Sequence, residues 1–147
     1  MAFNPWGFLF TLLAVVPGML MLLFPATDAP KPWQENASLK LIERIGQIAL
    51  TILPSLTYAP SPVNALLYAA LAIALINTGL WARFYLKGRA YTLLYVPLWI
   101  LPVPMAILPI ACFLLFGLWA QSVLVCVCTL FFAIGHIPLS LQKAKRS

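Results

Sequence analysis

The sequence predicts an all-α fold, a polytopic membrane bundle of five transmembrane helices in which prolines break the first and fourth spans. Of the 147 residues, 63% are hydrophobic and only 8% are charged, and the mean hydropathy is +0.98. A soluble domain has about 45–50% apolar residues even when glycine is included. Because no long polar linker divides the chain, residues 1–147 are predicted to form one integral membrane domain.

Five apolar segments of membrane length follow one another along the chain, at residues 6–24, 39–58, 63–85, 91–116 and 118–139. A helix needs about 20 residues to cross a bilayer. In the first segment, Pro17 and Gly18 predict a kink, since proline removes a backbone donor. The fourth segment should break near its middle at Pro102 and Pro104, because residues that precede proline avoid helical angles. Gly117 is the predicted division between the fourth and fifth segments.

The second segment decides the topology, because it is the only one with charges well inside it. Glu43 and Arg44 would lie about one turn below the membrane surface, where ionisable groups usually have a partner or a purpose. If residues 39–58 span, all nine basic residues fall on one side. The positive-inside rule makes that side cytoplasmic, with an external N-terminus and a cytoplasmic C-terminus in the cell membrane. If residues 39–58 instead form a surface or re-entrant helix, the bundle has four spans. The five-span and four-span topologies are the two alternatives.

Small side chains form a strip along the third segment. Ala70, Ala74 and Thr78 recur every four residues, so on a helix they share one face on which another backbone can approach closely. The three cysteines, in contrast, follow no metal or redox spacing, and all lie in apolar runs. They are predicted to be small apolar packing residues.

Threading the five spans gathers polar side chains near the cytoplasmic face, and these are the candidate binding residues: Glu43, Arg44, Gln47, Asn77, Arg83 and His136. One interpretation is a cytoplasm-facing pocket in which Glu43 and His136 handle a proton or a cationic group, while Arg44 or Arg83 meets an anion. The other is a set of interfacial residues that extend toward headgroups and tie helices together. We expect Glu43 to point into the bundle toward His136 or Arg83, with Lys40 as the local alternative partner.

Several classes of site are excluded by residue type. One histidine and no Cys–His cluster supply too few ligands for zinc. The chain has three acidic residues, two of them in a loop, so no carboxylate pair is predicted within the membrane. A phosphate-binding glycine loop is also missing, and we expect no metal and no cofactor. Nucleic acid is not an expected partner, because the basic residues flank apolar spans.

Two short motifs carry a resemblance. The motif Glu43-Arg44-Ile45-Gly46-Gln47 and the motif Gly135-His136-Ile137 are set on short apolar spans. In this the chain resembles an uncharacterised family of small, multi-pass bacterial membrane proteins. The resemblance implies a helical membrane protein and no particular activity.

The sequence favours a transporter, channel or ligand-binding membrane protein, because proline-broken helices expose backbone groups to a substrate or ion. The alternatives are an enzyme acting on a lipid or prenyl substrate at the inner leaflet, with Glu43 and His136 as acid and base, and a structural accessory subunit that packs through the small-residue strip. The expected partner is the lipid bilayer. A small-molecule, ion or lipid ligand and a homo-oligomer or partner membrane subunit stay open.

Overall fold

A computed structural model describes residues 3–29, 31, 34–58 and 62–145. The structure is 74% helical and has no strand among these residues, which confirms the all-α prediction. The α-helices are α1 Pro5–Ala14, α2 Val16–Met19, α3 Ala37–Ile52, α4 Ala65–Leu86, α5 Pro104–Trp119 and α6 Val123–Lys145. Short 3-10 turns follow at Leu20–Leu22, Leu53–Leu56 and Tyr91–Leu94.

Contacts at the two ends of the bundle show how the chain is threaded. At one end, the Thr27 hydroxyl donates to the Gly88 carbonyl, and Lys143 pairs with Glu35. We call this the basic end, and it comprises residues 25–29, 34–40, 83–91 and 136–145. At the other end, the Trp119 indole donates to the Pro62 carbonyl. We call this the uncharged end (residues 4–8, 53–58, 62–65 and 117–123), since none of these residues is Asp, Glu, Lys or Arg. The described chain therefore passes five times between the ends, through α1–α2, α3, α4, α5 and α6.

Two of these passes have the length and composition of a membrane span. They are α4 with 22 residues and α6 with 23. Helix α1 and the segment Val16–Leu22, which are bent by 40°, make a third if they form one span. Helix α5 is apolar but has only 16 residues, and α3 has 16 residues with charges inside it. The structure thus agrees with a helical membrane protein and supports two or three of the five predicted spans.

The predicted kink in the first segment is confirmed, and α4 supports it. Pro17 has no N–H to donate to the Leu13 carbonyl four residues before it. The Thr78 hydroxyl lies 2.9 Å from that Leu13 oxygen, and the Tyr85 hydroxyl donates to the Pro17 carbonyl at 2.5 Å. These two carbonyl groups at the break are therefore bonded to side chains of α4 and are not free for a substrate or ion.

The fourth segment was predicted to be a helical span broken near its middle, and the structure differs from this prediction. Residues 95–103 are irregular, and α5 begins only at Pro104, the first helical position, where a missing N–H has no effect. Val103 just before it has a φ of 42°, a left-handed conformation that stops a helix from starting earlier. The break at Pro102 and Pro104 is confirmed, but the half before it contains only the 3-10 turn Tyr91–Leu94 and no α-helix.

The predicted division at Gly117 is wrong. Gly117 lies inside α5, which runs to Trp119, and the turn to α6 falls at residues 120–122. A Cβ at Gly117 would lie 2.7 Å from the Cys126 sulfur. The glycine therefore serves close packing of α5 on α6, and α6 continues through Pro138 to Lys145, beyond the predicted end at residue 139.

The interior of the bundle is apolar and aromatic. Phe10, Phe113 and Phe116 are almost completely buried at its centre, and the rings of Phe10 and Phe116 are 5.3 Å apart between centroids. Ala70 and Ala74 of the small-residue strip are fully buried in the same cluster. The strip therefore packs within this chain. Cys112 is buried there too, as its apolar surroundings predict.

Candidate functional site: a cleft at the basic end

The site is built where α3 crosses α6, and a glycine on each helix allows the crossing. A Cβ at Gly46 of α3 would lie 2.6 Å from the Phe132 Cβ of α6, and a Cβ at Gly135 of α6 would lie 2.6 Å from the Leu39 carbonyl oxygen and the Glu43 nitrogen of α3. Real side-chain atoms do not approach so closely, so both positions need glycine. The two motifs that carry the resemblance thus pack directly on each other.

Glu43 and His136 meet at this crossing. The Glu43 Oε1 atom lies 2.5 Å from the His136 Nδ1 atom, and the two side chains are 17% and 23% exposed. An ionised Glu43 accepts this hydrogen bond, so the proton is then on Nδ1. The Phe132 ring stacks on His136 at 4.5 Å between centroids and holds the imidazole plane. The predicted inward orientation of Glu43 and its pairing with His136 are therefore observed, and the pair is not made with Arg83 or Lys40.

A second set of charged side chains, Glu35 with Lys40 and Lys143, joins the start of α3 to the end of α6. Glu35 lies 3.7 Å from the Lys40 ammonium and 3.8 Å from the Lys143 ammonium. Sequence reasoning did not select Glu35 or Lys143. The spacing of seven residues between His136 and Lys143 places both on one face of a helix, and that pattern was the available signal for Lys143.

An open cleft of about 490 Å³ lies between α3 and the broken α1–α2 segment. Its polar wall is formed by Glu43, by Glu35 with Lys40 and Lys143, and by Arg44, Gln47 and Thr51. Its apolar wall is formed by Met19, Leu22 and Ile48. Arg44 is exposed and has no carboxylate within 4.0 Å among the described residues. The cleft therefore contains one guanidinium that is free to meet an anion, beside carboxylates that already have cationic partners.

A small inner cavity of about 90 Å³ adjoins the cleft. Gly18 and Gln47 line both spaces. Glu43 lines the cleft and His136 lines the inner cavity. The hydrogen-bonded pair consequently stands between the open cleft and the interior of the bundle.

The six predicted binding residues separate into two groups. The cleft and the adjoining cavity bring together Glu43, Arg44, Gln47 and His136. Asn77 is fully buried on α4, and Arg83 lies near the end of α4, and neither lines the cleft. No group of three His, Cys, Asp or Glu side chains among the described residues is placed to hold a metal ion.

Comparison with known proteins adds no activity to this geometry. No protein family, curated protein or solved structure matches the chain.

Proposed function

We propose that the protein is a small multi-pass membrane protein that crosses the bilayer five times and places its basic end in the cytoplasm. The alternation of five passes between a basic and an uncharged end supports this, because basic residues flank the cytoplasmic ends of spans. The 16 residues of α3 are extended by the 3-10 turn Leu53–Leu56. The charges of α3 lie at its basic-end half, where their transfer into the membrane is least unfavourable.

Single cysteines test this topology. In a background without the three native cysteines, Gln121→Cys lies in the exposed turn of the uncharged end and Lys87→Cys in the exposed loop of the basic end. A membrane-impermeant maleimide added to whole cells should label Gln121→Cys, and should label Lys87→Cys only after lysis. Labelling of Lys87→Cys in intact cells would overturn the proposed orientation.

Within this topology, the protein is a ligand-binding membrane protein whose cleft takes an amphiphile with an anionic headgroup. Arg44 carries this proposal, because a guanidinium binds phosphate or carboxylate oxygens in a fixed, two-pronged geometry. Leu22, which is 84% exposed, and Ile48 line the same cleft. An apolar wall beside a free cation fits a molecule with an acyl chain and an acidic head.

Thermal unfolding of the purified protein in an uncharged detergent tests this ligand class. Phosphatidylglycerol should raise the unfolding temperature, since a ligand that binds the folded state stabilises it. Phosphatidylcholine should have little effect, and glycerol phosphate reports the headgroup without its chains. A shift with glycerol phosphate alone would indicate a free anion as the ligand. Equal shifts with the two lipids would contradict selectivity for an anionic head.

Matched charge removals locate the binding. Arg44→Gln should lose most of the shift caused by phosphatidylglycerol, because it removes the free guanidinium of the cleft. Lys87→Gln removes one positive charge from an exposed position of the basic end that does not line the cleft, and should keep the shift. If both variants lose it equally, the lipid binds through general surface charge, and the cleft is not its site.

A lipid-modifying enzyme is the second candidate, and the pair of Glu43 and His136 favours it. A carboxyl group and an imidazole in hydrogen-bond contact can serve as acid and base beside a bound lipid. Incubation of the protein with phosphatidylglycerol vesicles, followed by mass spectrometry of the lipids, tests this. Products that form with the parent protein and disappear with Glu43→Gln would establish the enzyme, and unchanged lipid would leave binding as the function.

A further inference from the structure

Two polar side chains in the centre of the bundle have no hydrogen-bond partner in the part of the chain that the structure describes. Asn77 is 0% exposed and Thr11 is 6% exposed. Neither the amide atoms of Asn77 nor the Thr11 hydroxyl makes a hydrogen bond to any described residue. Buried polar groups are nearly always hydrogen-bonded, to protein or to ordered water. An unexplained buried amide therefore points to a bound hydrogen-bonding molecule.

Both side chains lie one helical turn deeper than the wall of the inner cavity. Asn77 precedes Trp81 by four residues on α4, and Thr11 precedes Val15 by four at the end of α1, and residues four apart are neighbours along a helix. Trp81 and Val15 both line the cavity. Neither Asn77 nor Thr11 is in the cavity wall itself, and each lies about one helical turn from a wall residue, on the side toward the middle of the bundle.

The cavity itself offers polar atoms to water. Gln47, Trp81 and His136 line it with side chains that hydrogen-bond. Pro109, also in its wall, has no N–H for the Met105 carbonyl four residues before it. At roughly 30 Å³ per water molecule, a volume of about 90 Å³ accommodates a short chain of waters. A cavity with this many polar groups is suited to hydration, whereas a purely apolar one stays dry.

We propose that ordered water fills this cavity, hydrogen-bonds to Asn77 and Thr11, and connects them through His136 and Glu43 to the cleft. Such a chain gives protons a path from the basic end to the centre of the bundle. When neutral His136 carries its proton on Nε2, its Nδ1 atom can accept a proton that Glu43 has taken from a hydronium ion in the cleft. The imidazolium then releases its Nε2 proton to cavity water, which leaves the proton on Nδ1 beside an ionised Glu43. The proposal is independent of which ligand the cleft binds.

The path is closed on the far side. Beyond the level of Asn77, the interior toward the uncharged end is filled by the buried rings of Phe10 and Phe116, which are in contact, and by Leu67, which is also buried. These side chains offer no hydrogen bond to water. Among the described residues, this packing leaves the proposed path open toward the basic end, as a half-channel.

Hydrogen exchange of asparagine side chains tests the half-channel in the full-length protein in nanodiscs. The chain has Asn4, Asn36, Asn64 and Asn77, so ¹⁵N-asparagine labelling gives a simple set of side-chain amide signals, and Asn77→Leu identifies that of Asn77 by its loss. Asn4 is the internal control, because it is also 0% exposed but hydrogen-bonded to Thr57. In D₂O, Asn77 should exchange at least about tenfold faster than Asn4, since water reaches it without unfolding.

A matched pair of variants tests the route. Gln47→Leu places an apolar side chain between cleft and cavity, and should slow the exchange of Asn77 without changing that of Asn4. Gln142→Leu makes the same change on the exposed surface of α6 and should change neither. If Asn77 in the parent protein exchanges no faster than Asn4, the cavity is dry and the half-channel is excluded. If Gln47→Leu leaves a fast exchange of Asn77 unaltered, water reaches Asn77 by another route and the proposed path is wrong.

Discussion

The two ends of the bundle are held together by different interactions. At the basic end, α3 and α6 are joined by the pair of Glu43 and His136 and by Glu35 with its two lysines, and an open cleft lies beside them. At the uncharged end, the backbone N–H of Asn4 donates to the Ser55 carbonyl, and Gly7 packs directly on the backbone of Pro54. The basic end thus carries charged side chains beside a cleft, whereas the described residues of the uncharged end include no charged side chain and pack closely.

The difference indicates how a small bundle can carry a polar site. The uncharged end and the aromatic centre supply dense packing, which stabilises the bundle in the manner of a close-packed interior. The basic end can then leave a cleft and an inner cavity unfilled. Substitutions at the two ends should therefore differ in both size and kind of effect.

The largest expected effect comes from Gly135→Ala at the crossing of α3 and α6. Its Cβ would meet backbone atoms of Leu39 and Glu43, which cannot move aside as a side chain can. We expect destabilisation at or above the roughly 1–3 kcal/mol typical of overpacking, measured by unfolding in detergent. Gly79→Ala is the control, because nothing lies within 4 Å of its Cβ, and alanine there should stabilise α4 by about 0.5–1 kcal/mol. Equal effects would show that the two helices do not cross in contact.

The next effect in size is expected for Glu43. Glu43→Leu leaves the His136 Nδ1 atom without its partner, and an unsatisfied buried donor costs about 1–3 kcal/mol. Glu43→Gln keeps a hydrogen-bonding group of the same shape, and should be destabilised less. Thermal unfolding of both variants in detergent is the measurement. If Glu43→Leu unfolds at the same temperature as the parent, the side chain has no buried partner and the site at the basic end is wrong.

Asn4→Ala tests the uncharged end. The Asn4 side chain accepts hydrogen bonds from the Trp6 and Gly7 amides at the start of α1 and donates to the Thr57 hydroxyl. Loss of an N-cap costs about 0.5–2 kcal/mol, and the lost contact to Thr57 places this variant at the upper part of that range. Asn64→Ala removes an exposed cap of α4 and should cost less. The reverse order would show that the uncharged end contributes little to stability.

The smallest effect on stability is expected for Glu35→Gln. Its pairs with Lys40 and Lys143 are partly exposed, and pairs of this kind contribute about 0–1 kcal/mol. The variant frees two ammonium groups beside the cleft, so binding of phosphatidylglycerol should strengthen while the unfolding temperature hardly changes. Titration with the lipid, at low and at high salt, measures both. Weaker binding at low salt would show that Glu35 is needed to shape the cleft.

Much of the architecture follows from local sequence. The helical membrane class follows from the apolar composition. The kink at Pro17 and the break at Pro102 follow from residues close together in the chain, since a proline disturbs the helix in which it lies. The sequence also indicates Glu43, Arg44, Gln47 and His136 as candidate residues, because polar groups in apolar segments are unusual. The starts and ends of the segments were predicted less accurately, as the late start of α5 and the position of Gly117 inside it show.

The tertiary structure alone decided which of these groups meet. Glu43 and His136 are 93 residues apart in the sequence. Their contact depends on Gly46 and Gly135, because a side chain at either position would clash with the opposite helix. A glycine in a sequence does not show which other helix packs against it, so the contact partner of a glycine cannot be inferred from the sequence. The cleft and the inner cavity are likewise spaces between helices, and a space is determined by all the elements around it at once. Asn77 and Arg83, chosen by the same polar criterion as Glu43, face other surroundings for this reason.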